Sequence, residues 1–164
     1  GSVIPLFIDQ IKKNQDITIT NPKMSRFLMS LTDTVDLVYE ALENGKSGEI
    51  FVQKSPATNI VNLANALLKI LNKKNKIKNI GVRLGERLYE ILISKEEMMR
   101  TVSKKNFYII KPHKAMQNYD NYFIKGRKNY SKINEYNSLN TRQLNLNQTI
   151  SLLKKQLDNE EIKF

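Results

Sequence analysis

The residues best suited to chemistry stand in one stretch, Gly81-Val82-Arg83-Leu84-Gly85-Glu86-Arg87-Leu88-Tyr89-Glu90. Arg83 offers a planar, permanently charged fork that matches paired phosphate oxygens. Glu86, three positions on, offers two acceptors to a sugar diol. Between them, Gly85 permits a backbone turn that a Cβ would resist. This is recognition chemistry rather than bond-making chemistry. An exposed Arg-Glu pair beside a loop glycine is also common and individually weak, so spacing alone leaves both readings open.

Other candidates are sparse. Arg26, in Met24-Ser25-Arg26-Phe27-Leu28-Met29, is a lone cation in an apolar run. It is suited either to a ligand or to a carbonyl, Asp33 or Asp36. His113 is the single histidine, with no second histidine or carboxylate close by in sequence, so a metal or catalytic role has little support. Tyr119, Tyr122, Tyr130 and Tyr136 suit packing with a wet hydroxyl. No Gly-x-Gly-x-x-Gly or P-loop is present, since Gly81 and Gly85 have the wrong spacing for either. No reductase-type Tyr-x-x-x-Lys pair stands where one would be expected.

The elements that must position these residues follow from periodicity. Apolar residues at 4, 7, 8 and 11 predict a first helix, with Pro5 in its first turn and Asn14-Gln15-Asp16 as its stop. Ile17–Thr20 alternates as a strand, and a second extended run follows around Arg26. Thr32 opens a helix that ends at Asn44-Gly45. Glu49–Gln53 reads as a strand. Thr58 is expected to cap the next helix, whose stripe Ile60, Leu63, Ala64, Leu67, Leu68 and Leu71 reads as core. A strand at 77–82 then leads into a helix at 86–93, which would put Glu86 in a first turn favoured by the helix dipole. Ser94-Lys95-Glu96-Glu97 has capping-box spacing. Phe107–Ile110 reads as a strand, 111–140 as an irregular arm and Asn147–Leu157 as a last helix. Alternating strands and helices argue for an α/β unit.

The 164 residues suit one domain with an appendage, divided here into 1–100 and 101–164. There is no cysteine, which excludes disulfides and thiolate metal sites. No run has the length of a membrane-spanning helix and no signal peptide is visible, so the expected location is cytoplasmic. The net charge of +11 is compatible with nucleic acid, an anionic surface or a phosphorylated small molecule. The basic residues are scattered, as in Lys12-Lys13, Lys73-Lys74 and Lys154-Lys155, without an aromatic-interleaved stripe.

Taken together, several segments resemble the C-terminal half of nucleotide-sugar-modifying enzymes of the extended short-chain dehydrogenase/reductase family. They are Gly1–Phe7, Met24-Ser25-Arg26-Phe27, Gly48–Thr58, Gly81–Glu86, Tyr119–Phe123 and Glu135–Thr141. The chain is similar in particular to bacterial UDP-N-acetylglucosamine 4,6-dehydratases (5-inverting) of capsule and O-antigen polysaccharide biosynthesis. UDP-glucose 4-epimerases are related to these. Leu84 departs from the pattern, which more usually has Pro or His there.

A homo-oligomer in which the arm clasps a neighbouring subunit is a separate expectation; the resemblance implies a UDP-sugar held between a Rossmann domain and this lobe. It assigns the pyrophosphate to Arg83 and the uridine ribose to Glu86. Val3 and the 17–20 strand, with Ile19 and Thr20, would line the uracil side, and Arg26 would lie near the phosphates or uridine. NAD or NADP, with the catalytic Tyr and Lys, would belong to a Rossmann core missing from this sequence, so these residues alone are expected to be inactive. In the parent, the nicotinamide would oxidise C4, water would leave across C5 and C6, and hydride would return to C6 with inversion at C5. An epimerase of the same family is the alternative. A basic nucleic-acid-binding module is a second, from another class. Exposure of an apolar face is a further expectation of the resemblance.

Overall fold

The computed structural model describes residues 3–112 and 133–159. Along the chain run α1 (Val3–Lys12), β1 (Ile17–Ile19), β2 (Ser25–Phe27), α2 (Leu31–Asn44), β3 (Ile50–Gln53), β4 (Ala57–Asn59) and α3 (Ile60–Ile70). They are followed by β5 (Ile77–Asn79), β6 (Ile91–Ile93), α4 (Lys95–Met98), β7 (Thr101–Ser103), β8 (Phe107–Ile110), β9 (Tyr136–Asn137) and α5 (Leu146–Asn159). This is a mixed α/β fold of small sheets and helices. No helix among the described residues is long and apolar enough to cross a membrane. Of the expected arm, His113, Tyr119, Tyr122 and Tyr130 lie outside the described residues.

Two compact units form, and each takes segments from both the 1–100 and the 101–164 spans. The first comprises Gly1–Leu31, Ser55–Glu90 and Ser138–Phe164. Its core is the expected α3 stripe, with Leu63, Ala64 and Leu67 fully buried against Phe7 and Ile11 of α1, Ile17 and Ile19 of β1, and Leu153 of α5. Burial of a large aliphatic side chain contributes about 1.5–3 kcal/mol before chain entropy is counted. β1 pairs with β5 in parallel, Ile17 opposite Ile77, and β2 pairs antiparallel with β4, Arg26 opposite Thr58. Gln10 of α1 ties to β1 through both halves of its amide: Nε2 donates to Thr18 Oγ1 at 2.8 Å and Oε1 accepts the Thr18 N–H at 3.1 Å. Asn14 ends α1 with φ of 53°, a conformation asparagine tolerates better than most residues.

Two expectations fail, one at β4 and one after β5. Asn59, not Thr58, caps α3, its Oδ1 accepting the Asn62 N–H at 2.7 Å. Thr58 is buried in β4, where its backbone is committed to pairing and its hydroxyl lies 3.2 Å from that of Thr149. The helix expected at 86–93 is absent. Residues 81–90 form a loop, and Ile91–Ile93 is a strand paired with β9. Partners elsewhere claim the loop's backbone groups: Leu88 O accepts the Ser25 N–H, and Glu90 O accepts the Ser138 N–H, both at 2.9 Å. Gly81 and Gly85 have φ of 86° and 81°, which a right-handed helix excludes.

The second unit comprises Thr32–Lys54 and Ile91–Asn137. Its largest sheet is antiparallel, in the order β3-β8-β7. Phe51 stacks on Phe107 with ring centroids 5.4 Å apart, Tyr136 packs 5.0 Å from Tyr108, and Lys54 lies over the Tyr108 ring. The expected capping box holds: Ser94 Oγ accepts the Glu97 N–H at 3.2 Å while Glu97 Oε2 accepts the Ser94 N–H at 2.9 Å. These bonds from Ser94 hold the Glu97 carboxyl below its ordinary range. The Lys111 ammonium, hydrogen-bonded to Glu49, lowers the Glu49 carboxyl likewise. α2, which starts one residue before the expected cap, has no buried residue and exposes Val35, Val38, Tyr39 and Leu42.

Candidate functional site

The first unit contains a cavity of about 560 Å³, within the roughly 300–1,000 Å³ typical of small-molecule sites. α1 lends it Val3, Ile4, Leu6 and Phe7, and β1 lends Thr18 and Ile19, followed by Thr20. Met24, Arg26, Phe27 and Leu28 come from β2 and its flanks, Ile60 and Leu63 from α3. Ile80 and the 81–90 loop, through Arg83, Glu86 and Glu90, complete the lining. All six residues singled out in the sequence (Val3, Ile19, Thr20, Arg26, Arg83 and Glu86) therefore share one cavity. One part is apolar; the loop and β2 supply its charge.

The turn carrying Arg83 and Glu86 is built by the chain itself. The Glu86 N–H donates to Arg83 O at 3.1 Å, closing residues 83–86, and Glu86 Oε2 accepts the Arg83 N–H at 3.2 Å. A bond from the fourth residue to the first, with positive φ at the third, is the pattern of a type II turn. Nothing lies within 4 Å of a Cβ built on Gly85, so glycine is required there by conformation rather than by space. Leu84, in the second position, is fully exposed. Proline also favours that position, so Leu84 leaves the turn's shape intact.

Glu86 reaches β1 as well, where its Oε1 accepts from Thr20 Oγ1 at 3.0 Å. Its carboxylate is oriented without an ion pair to another described residue, leaving acceptor capacity for a hydroxyl. Arg83 is exposed, and its guanidinium makes no hydrogen bond or ion pair with another described residue. An unneutralised guanidinium beside an oriented carboxylate suits an anion joined to a hydroxyl-bearing group.

Arg26 is differently placed. Its Nη1 donates to Ser25 O at 2.7 Å, and its Nη2 faces Met24 Sδ at 3.0 Å and Arg87 O at 3.3 Å. Its carboxylate neighbour is Glu90, 3.8 Å from Nε, in place of the expected Asp33 or Asp36. The cavity thus holds two arginines and two glutamates, with one arginine committed to the protein. Sequence reasoning passed over Glu90, because only the folded loop brings it to β2. Among the described residues, no three His, Cys, Asp or Glu side chains gather as a metal site would need.

Comparison with known proteins places the chain in a family. The family described as polysaccharide biosynthesis protein matches residues 1–112, and its C-terminal counterpart matches 117–163. The chain is similar to a UDP-glucose 4-epimerase of Rickettsia bellii (strain OSU 85-389), 54% identical over 153 residues covering 93% of this chain and 45% of that protein. The corresponding protein of Rickettsia felis (strain ATCC VR-1525 / URRWXCal2) is 51% identical with the same coverage. The X-ray structure of Pen from Bacillus thuringiensis superposes with a TM-score of 0.75 at 33% identity, covering 95% of this chain and 45% of that one. The chain thus spans less than half the length of the curated relatives it matches. Since the first family spans well over half of this sequence, the chain belongs to the polysaccharide biosynthesis protein family.

Proposed function

We propose that the cavity of the first unit binds the uridine diphosphate portion of a nucleotide sugar. The chain would be the substrate-binding part of a nucleotide-sugar-modifying enzyme. In this reading Arg83 takes the diphosphate, Glu86 accepts the ribose hydroxyls, and Val3, Ile19 and Thr20 flank the base. Arg26 stands near the phosphate side while holding β2 to the loop. The observation that carries the reading is the shared cavity in which Arg83 meets an oriented Glu86 without a protein counter-charge among the described residues.

Calorimetry with UDP on the full-length protein tests it. Replacing Arg83 with Ala should weaken binding by about 2–5 kcal/mol, the usual range for losing one partner of a desolvated charged contact. Unchanged affinity would contradict the proposal.

For the reaction, we favour a 4,6-dehydratase acting in capsule or O-antigen synthesis, on the motif resemblance. The names of the Rickettsia relatives support 4-epimerisation as the second reading. Mass spectrometry of the product separates the two: a dehydratase removes one water from the sugar, and an epimerase leaves the mass unchanged. The 164 residues carry no Gly-x-Gly-x-x-Gly turn, the element that commonly holds the pyrophosphate of NAD or NADP. We therefore assign redox chemistry, and the cofactor that supplies it, to residues outside this sequence.

A further inference from the structure

Glu90 has no part in the ligand contacts proposed above, yet it fastens them together. Its Oε2 accepts the Phe27 N–H at 2.8 Å, and its Oε1 lies 3.8 Å from Arg26 Nε. Its own backbone is anchored on Ser138, whose Oγ accepts the Glu90 N–H at 3.0 Å and whose N–H donates to Glu90 O at 2.9 Å. Ser138 is fully buried and lies 2.6 Å, Oγ to Oγ, from Ser25. Its Oγ also lies 3.3 Å from Ser25 O. The residues on both sides of Arg26 are therefore tied to the far end of the loop. Its near end is tied to β1 through Thr20 and Glu86.

We infer that Glu90 is a positioning residue, holding Arg26 and the 81–90 loop in one register so that Arg83 and Glu86 face the same nucleotide, without touching the nucleotide itself. The inference rests on the UDP reading above. Glu90 Oε2 is held by the Phe27 N–H and Oε1 lies toward the Arg26 guanidinium, and a carboxylate turned instead toward a diphosphate would repel it.

The test is UDP calorimetry on the full-length protein and folded variants, with thermal melting as the check of folding. Glu90→Ala should bind UDP roughly tenfold more weakly, the scale of one lost hydrogen bond to a charged group. Glu90→Asp keeps the charge but withdraws the oxygens by one methylene, and should show a similar loss. It serves as the second variant should the alanine protein fail to fold. Glu90→Gln can still accept the Phe27 N–H and should recover most of the affinity. Combined with Arg26→Ala, the Glu90→Ala loss should shrink, because both changes break one assembly. UDP and a UDP-sugar should show the same fold-loss. Wild-type affinity in a folded Glu90→Ala or Glu90→Asp protein would overturn the inference, as would a loss confined to the sugar-bearing ligand. A wild-type protein that binds no UDP would instead overturn the proposed function, and this inference with it.

Discussion

Helices α3 and α2 carry the same kind of apolar stripe and meet different fates. In α3 of the first unit, Leu63, Ala64 and Leu67 are fully buried, whereas Val38 and Leu42 of α2 are 53% and 75% exposed. A stripe at helical spacing therefore establishes which face is apolar and leaves open what covers it. The glutamates of the two units differ in a parallel way. In the second unit, Glu97 closes a helix cap and Glu49 pairs with Lys111. In the first, Glu86 and Glu90 brace a loop and a strand while lining a cavity shared with Arg26 and Arg83. Similar residues do closed structural work in one unit and line an open cavity in the other.

The sharpest way to break the helix comparison is paired truncation. Leu67→Ala should cost about 2–5 kcal/mol of stability, through lost transfer energy and a cavity that only partly collapses. Leu42→Ala should stay within about 0.5 kcal/mol, as exposed substitutions do. Denaturant melts of the two variants check both, and equal costs would mean that α2 is covered by something in the intact protein.

The glutamate comparison has an acid signature. Glu49 and Glu97 are held below the ordinary carboxylate range in the fold. Their stabilisation is thus fully present above the unfolded glutamate range and lost as pH falls through the lowered folded values. Melting temperature followed downward through the carboxylate range should decline, and Glu97→Gln should make the decline shallower. A profile unchanged by that substitution would show that the capping carboxylate carries no linkage.

The smallest effect concerns the turn. Leu84 is exposed, its N–H donates to no other described residue, and its φ is not positive. Leu84→Pro should therefore stabilise by about 0.4–1 kcal/mol through the unfolded chain, with UDP affinity retained. Destabilisation in a thermal melt would show that the turn is not of the type II pattern.

Much of this fold was legible because its causes are local. The capping box at Ser94, the α1 and α3 stripes and the turn at Gly85 each depend on residues a few positions apart. The grouping of Arg83, Glu86, Arg26, Val3, Ile19 and Thr20 was legible only through the resemblance, since nothing in their spacing links 3, 26 and 83. What misled was local plausibility. Residues 86–93 read as a helix, but Leu88 and Glu90 give their carbonyls to Ser25 and Ser138. Thr58 looked like a cap, yet its backbone pairs with Arg26 in β2. Glu90 escaped notice because both partners of its carboxylate, Arg26 and Phe27, lie on a strand far upstream.

The central claim is tested most directly by a crystal structure of the full-length protein with UDP. The expected result places the diphosphate within hydrogen-bonding distance of the Arg83 guanidinium and the ribose hydroxyls on the Glu86 carboxylate, with the base between Val3 and the end of β1. A nucleotide bound elsewhere, with Arg83 and Glu86 untouched, would contradict it.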